Sequence, residues 1–234
     1  MSTNTIRFLG HAFVELTTEQ GKTVLFDPWT KDAGNPSCPL DAADVNNADL
    51  VLVSHDHFDH IGSAVEICKR TGALFGGPAQ TAARLTAEGF SADQVVNFGM
   101  GYMVGGGVSL DWIQVTSTPA FHSSDTACAM GTIVKTGGIT VYHAGDTALF
   151  GDMALYARLY PMDVALLPIG GVFTMDAYQA AEAVKMIGPK VVVPIHYASF
   201  PIIAPTADDF VDQCSKKAPE VVVKVLGAGE KFSF

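Results

Sequence analysis

Basic residues are scarce in this chain: 14 Lys and Arg stand against 24 Asp and Glu, for a formal net charge of −10. The few cations are scattered along the sequence rather than clustered. Nucleic acids and anionic membrane surfaces need a basic footprint, so neither is expected as a partner. Long apolar runs are missing too. No window approaches the roughly 18 consecutive apolar residues of a membrane span, and Met1-Ser2-Thr3-Asn4-Thr5 has none of the basic-then-apolar order of a signal peptide. Cysteine is sparse: Cys38, Cys68, Cys128 and Cys214 lie far apart and form no CxxC. That excludes a zinc knuckle and a disulfide framework, and it points to free thiols in a reducing cytoplasm. Charged residues make up only 16 % and hydrophobic ones 48 %, a composition for burying a core rather than for disorder. Internal repeats, low-complexity tracts and linkers are absent, so residues 1–234 read as a single domain. A symmetric homo-oligomer is the default expectation for its assembly.

Histidine is concentrated instead. The chain has 7, and three of them fall within His55-Asp56-His57-Phe58-Asp59-His60, directly after the apolar run Leu50-Val51-Leu52-Val53. Imidazole and carboxylate are strong ligands for divalent transition metals, and the spacing His-x-His-x-Asp-His offers several donors from one short loop. Such a cluster needs partners from elsewhere in the chain. His122 follows the strand-like stretch Val115-Thr116-Ser117-Thr118-Pro119, and His196 follows Val191-Val192-Val193-Pro194-Ile195. Asp146 follows Thr140-Val141-Tyr142-His143-Ala144-Gly145, where the glycine permits tight backbone geometry. Each candidate thus sits just past a strand end, where sites in α/β proteins gather.

The element pattern supports this placement. Short β-branched and aromatic runs at 5–9, 12–17 and 23–26 predict an antiparallel meander, closed by Asp27-Pro28. A turn-rich loop, Gly34-Asn35-Pro36-Ser37-Cys38-Pro39, follows and is long enough to cover a site. Strand and helix then alternate, with strands at 50–53, 73–75 and 95–98 and helices at 63–70 and 78–88. Residues 103–141 return to strands separated by glycine clusters. The last third alternates again, with helices at 153–160, 176–187 and 207–217 and strands at 164–167, 191–195 and 221–226. Two strand-rich regions with flanking helices in one α/β domain suggest a helix-sheet-sheet-helix sandwich.

Taken in order, His55-x-His57-x-Asp59-His60, His122, Gly145-Asp146-Thr147 and His196 resemble the metallo-β-lactamase superfamily along nearly the whole chain. Gly10-His11-Ala12, Asp27-Pro28, Gly34-Asn35-Pro36, Phe121-His122-Ser123-Ser124, Tyr142-His143-Ala144-Gly145-Asp146-Thr147 and Pro194-Ile195-His196-Tyr197 are similar to its UPF0173 group of metal-dependent hydrolases. The resemblance implies an αββα four-layer sandwich with a binuclear site holding two divalent metal ions. Carried over residue by residue, His55, His57 and His122 would hold one metal, and Asp59, His60 and His196 the other. Asp146 would bridge them. A nitrogen and carboxylate donor set without thiolate suits Zn²⁺ or Mn²⁺, or Fe. The implied reaction is attack of a metal-bound hydroxide on a small-molecule ester, lactone, amide or phosphodiester, with Asp59 orienting the nucleophile and relaying a proton.

Other residues carry two readings each. His11 either faces the metal centre or satisfies a turn. His143 is either a hydrogen-bonded core residue or a partner that orients a ligand. Asp27 either accepts a proton from a ligand histidine or caps a turn. Asn35, Phe173, Tyr197 and Phe200 either shape a substrate pocket or pack. Asp56 lies inside the motif but outside the ligand pattern. Superfamily members that do redox chemistry on a di-iron centre resemble a pattern with a glutamate where this chain has His57, and they carry a flavin domain. A metal-binding or ligand-sensing module without catalysis is the remaining alternative, and turnover is the measurement that separates it.

Overall fold

Consecutive residues of the apolar run at 50–53 bury on opposite sides. Leu50 and Leu52 join one core cluster, while Val51 and Val53 join another. A strand buried on both faces shows such a continuous apolar run, because neighbouring side chains point to opposite sides of the sheet. Val164 and Leu166 against Ala165 and Leu167 repeat the arrangement in the second sheet. These four-residue runs therefore mark interior strands of two sheets, each packed on both faces.

The computed structural model describes residues 3–234. Its first sheet contains β1 (Thr5–Phe8), β2 (Val14–Thr17), β3 (Thr23–Phe26), β4 (Leu50–Leu52) and β5 (Leu74–Gly76). The second contains β6 (Gly107–Leu110), β7 (Ile113–Pro119), β8 (Met130–Thr136), β9 (Ile139–His143), β10 (Val164–Pro168), β11 (Val191–Ile195) and β12 (Val222–Val223). A last strand, β13 (Lys231–Ser233), returns to the first sheet and pairs with β1. The orders are β13-β1-β2-β3-β4-β5 and β12-β11-β10-β9-β8-β7-β6. Each sheet is antiparallel on one side and parallel on the other, the change falling at β3–β4 and at β9–β10. The two sheets press together over a core of Ile6, Val14, Leu16, Val24 and Phe26 against Val115, Val134, Val141 and Val193.

Helices cover the outer faces. The motif itself forms α1 (Phe58–Ile61), followed by α2 (Ala64–Thr71) and α3 (Ala79–Ala87). Ile67, Cys68, Ala82 and Leu85 of α2 and α3 cover the first sheet. On the other side α4 (Met153–Leu159), α5 (Ala177–Ile187) and α6 (Asp208–Lys217) cover the second sheet, α5 through Ala180, Ala183, Val184 and Ile187 and α6 through Phe210. Asp176 caps α5 by accepting the Gln179 N–H at 2.8 Å. The expected four-layer αββα sandwich is the observed fold.

Three expectations change. Residues 95–98 form no strand: Val95 makes only an isolated bridge to Phe75. Asn97 and Phe98 take left-handed backbone at φ 56° and 58°, and Phe98 is fully exposed. Asn97 holds this turn by donating to the carbonyls of Gly101 and Gly107, so an apolar composition was outweighed by local side-chain bonding. The strand at 221–226 shortens to the two residues of β12. The third is β13, which lay outside the periodic pattern and closes the edge of β1.

Candidate metal centre

Strand ends deliver the donors. His55 stands three residues beyond β4, and α1 turns the motif back so that Asp59 and His60 face the same point as His55. His122 follows β7, Asp146 follows β9 and His196 follows β11. Gly145 makes the approach possible: its φ is +61°, and a Cβ there would lie 2.8 Å from the Cβ of Ser54. Gly10, at φ +100°, brings the β1–β2 turn equally close to Ser37.

Three groups of donor atoms result, each mutually within 4.8 Å: His55, His57 and His122; His11, Asp59, His60 and His196; and His55, His60 and Asp146. Nε2 of His55 and Nδ1 of His57 are 2.9 Å apart. Oδ2 of Asp146 lies 3.0 Å from His196 Nε2, 3.3 Å from His60 Nε2 and 3.5 Å from His122 Nε2, so it touches both sets. All seven residues expected as ligands are therefore brought together. His11 is an eighth: its Nε2 is 3.2 Å from Asp59 Oδ2.

A buried relay fixes the ring orientations. Asp27 Oδ1 accepts the Ser54 N–H at 2.7 Å, and Oδ2 accepts the Ser54 hydroxyl at 2.7 Å. Oδ2 also meets His60 Nδ1 at 2.8 Å, and Ser54 Oγ meets His55 Nδ1 at 2.9 Å. Because the Ser54 proton is committed to Asp27, the network assigns the Nδ1 protons to His55 and His60. Their Nε2 lone pairs then point into the site, the device that orients metal-binding histidines. Asp27 thus takes the first of its two readings. Ser54 was not singled out by the sequence, since nothing in its spacing distinguishes it.

The electrostatics favour open lone pairs at His55 and His11 and ionised carboxylates at Asp59 and Asp146. Burial lowers His55 to a pKa of about 3, helped by the neighbouring His60, and burial lowers His11 to about 4 against the raising effect of Asp59. Burial works against the charge of Asp146, but His196 and His60 overcome it and hold the carboxyl well below the usual range. Asp59 is likewise held low by His11 and His60. His60 runs the other way, raised despite its burial by Asp146 and Asp27 on either side. Nε2 of His11 and of His60 and Oδ1 of Asp146 are buried without a hydrogen-bond partner. Buried polar atoms without partners are costly, and here they converge beside imidazoles and carboxylates. The donor set fits divalent cations.

The remaining residues sort clearly. His143 donates from Nε2 to the Ala12 carbonyl at 3.0 Å and accepts the Gly145 N–H on Nδ1, so it is a core residue bracing the Asp146 loop. Asn35 is buried and donates to the carbonyls of Trp29 and Gly10. It supports the turn that carries His11 rather than lining a pocket, and its loop covers that turn. Tyr197 stacks on Phe8 in the core. Asp56 accepts from the Ser124 hydroxyl at 2.5 Å and from the Asp125 and Thr126 N–H groups at 3.0 and 3.1 Å. It ties the loop after His122 to the motif. Ser199 Oγ lies 2.6 Å from His11 Nδ1. A cleft of about 650 Å³ opens over the donors, with Phe58, Phe173, Phe200, Pro201 and Ile202 in its walls.

Known proteins resemble this chain in sequence and fold. A family model described as a β-lactamase superfamily domain matches residues 22–197. A UPF0173 metal-dependent hydrolase of Nitratidesulfovibrio vulgaris is 41 % identical over 229 residues, covering 97 % of this chain and 94 % of the relative. The chain belongs to the UPF0173 family of metal-dependent hydrolases. A second member, from Thermococcus kodakarensis, is 42 % identical over 225 residues, covering 94 % of this chain and 96 % of its own length. Among solved structures, Igni18, a metallo hydrolase from the archaeon Ignicoccus hospitalis, superposes with a TM-score of 0.89 at 38 % identity. That match covers 99 % of this chain and 98 % of Igni18. The UPF0173 chain described here therefore has the metallo-β-lactamase fold over its whole length. Among its described residues no helix is long and apolar enough to cross a membrane.

Proposed function

We propose that this family member hydrolyses a small-molecule ester, lactone, amide or phosphodiester at a centre for two divalent ions. The observation that carries the reading is Asp146, whose Oδ2 contacts donors of both sets. His55, His57 and His122 would hold one ion, and Asp59, His60 and His196 the other, with Asp146 between them. Zn²⁺ or Mn²⁺ suits these donors. Two such ions, when bound, supply Lewis acidity and bring the pKa of a coordinated water toward neutrality.

The chain's own groups do the rest. Asp27, through Ser54, keeps the His55 and His60 rings aimed inward. Asp59 lines the cleft, is ionised, and lies with Oδ2 3.2 Å from His11 Nε2. It can accept a proton from the nucleophile and deliver it to the leaving group. The apolar walls exclude water around the scissile bond. A single domain with an acidic surface favours a small substrate over a polymer.

The test is turnover. Protein loaded with Mn²⁺ or Zn²⁺ is expected to hydrolyse at least one member of a panel of phosphodiesters, lactones and thioesters. Asp59→Asn should remove at least about 100-fold of that rate, the usual scale for a positioned acid or base, with the circular dichroism spectrum unchanged. Metal-replete protein that is inert to the whole panel would favour a sensing role, and undiminished turnover in Asp59→Asn would end the proton-relay assignment.

A further inference from the structure

Three separate loops send apolar side chains into the cleft above the donor atoms. Phe58 comes from α1, Phe173 from the loop between β10 and α5, and Phe200, Pro201 and Ile202 from the loop between β11 and α6. These side chains are open to solvent: Phe58 is 65 % exposed, Phe173 52 % and Ile202 62 %. Large apolar groups converging on one opening mark a binding surface. One wall is also rigid. Trp29, almost fully buried, packs edge-on against Phe58 at 5.7 Å and stacks with Phe200 at 5.5 Å.

Among the described residues no Lys or Arg lines the cleft. Arg84, close to the motif, is committed elsewhere: it bonds Glu88 at 3.1 Å and reaches Asp56 at 3.4 Å. The charge at the mouth is negative, from the exposed Asp125. Hydroxyl donors on that side are few, and Ser123 is the one that lines the cleft. A carboxylate or phosphate placed away from the reacting atoms would therefore lose its hydration and meet no cation, a costly exchange.

We infer that the substrate of this site carries an uncharged, apolar alkyl or aryl body next to its scissile bond, held by Phe58, Phe173, Phe200 and Ile202. The inference rests on the hydrolase reading above and narrows it. It selects hydrophobic esters, lactones and amides, and sets aside substrates with a remote anionic group. Among the described residues the polar lining gathers at the donor atoms, so polarity would be read at the scissile group and apolarity along the walls.

The experiment uses metal-anchored probes, so that binding is read without turnover. Zinc-loaded protein is titrated calorimetrically with acetohydroxamate, hexanohydroxamate, benzohydroxamate and 4-carboxybenzohydroxamate. The four added methylenes of hexanohydroxamate are expected to tighten Kd at least tenfold over acetohydroxamate, since each buried methylene contributes several-fold. The added carboxylate should weaken Kd at least tenfold relative to benzohydroxamate. Phe173→Ala, at a position 52 % exposed and outside the core, should remove most of the chain-length gain. Ile202→Arg should restore binding of the carboxylated probe. A flat chain-length series, or tighter binding of 4-carboxybenzohydroxamate to the unsubstituted protein, overturns the inference. The two readings fail separately: an inert substrate panel with a steep hydroxamate series counts against hydrolysis alone, and turnover with a flat series counts against the apolar body alone.

Discussion

Ser54 shows how one hydroxyl can govern a metal site without touching the metal. Its proton goes to Asp27, so its oxygen must accept from His55. Ser54→Ala would leave Asp27 with one donor fewer and free the His55 ring to turn. Metal affinity is expected to fall roughly 10- to 100-fold, the usual cost of losing such a partner. Competition against a chromophoric chelator measures it, and an unchanged affinity would show that packing alone holds the ring. At this scale the sequence was legible where chemistry is local. His55, His57, Asp59 and His60 announce themselves because their donors share one loop. His122, Asp146 and His196 could be found because each stands past a strand. Ser54 could not, because its role exists only once Asp27, at the end of another strand, lies beside it. The same holds for Ser199 against His11.

Among the elements, β13 is the one that pattern reading passes over. It is three residues long, and its partner β1 lies at the other end of the sequence. Its register, Thr5↔Ser233, Ile6↔Phe232 and Arg7↔Lys231, covers an edge that would otherwise offer unpaired N–H and C=O groups. Phe232 and Phe234 also pack against the inter-sheet core. Deleting residues 229–234 should lower stability by about 2–4 kcal/mol, from lost apolar burial and ladder bonds. It should also make the protein associate as its concentration rises. Denaturant midpoints and light scattering test the two effects, and a truncated chain whose scattering and midpoint match those of the full chain would make β13 dispensable. The central strands were legible for the opposite reason. Leu50 to Val53 and Val164 to Leu167 are buried on both faces, so composition alone marks them. Asn97 and Phe98 show the limit: apolar neighbours suggest a strand, but left-handed backbone at both positions forbids one.

For the molecule as a whole, acidity and metal binding are coupled. The chain carries a net charge of −10, and Asp27, Asp59 and Asp146 are buried or half-buried around one point. Cations bound there offset repulsion that the unfolded chain does not suffer. Ions that bind only the native state raise its stability by about 2.7 kcal/mol when free metal is 100-fold above Kd. Stripping the protein with a chelator should therefore lower Tm by several degrees, and returning Zn²⁺ or Mn²⁺ should restore it. A Tm indifferent to chelation would remove the metal from the native state's energetics. A last consequence follows from His11 and His196. Both hold left-handed backbone, and the His196 N–H donates to the His11 carbonyl at 2.8 Å. A ribosome emits these two residues far apart in time, since synthesis runs from the N-terminus at about 5–20 residues per second. The early motif can fold locally, but the pocket it serves stays unfinished until His196 arrives and docks. The full donor set is thus assembled only once His196 has been made and has docked on the His11 turn.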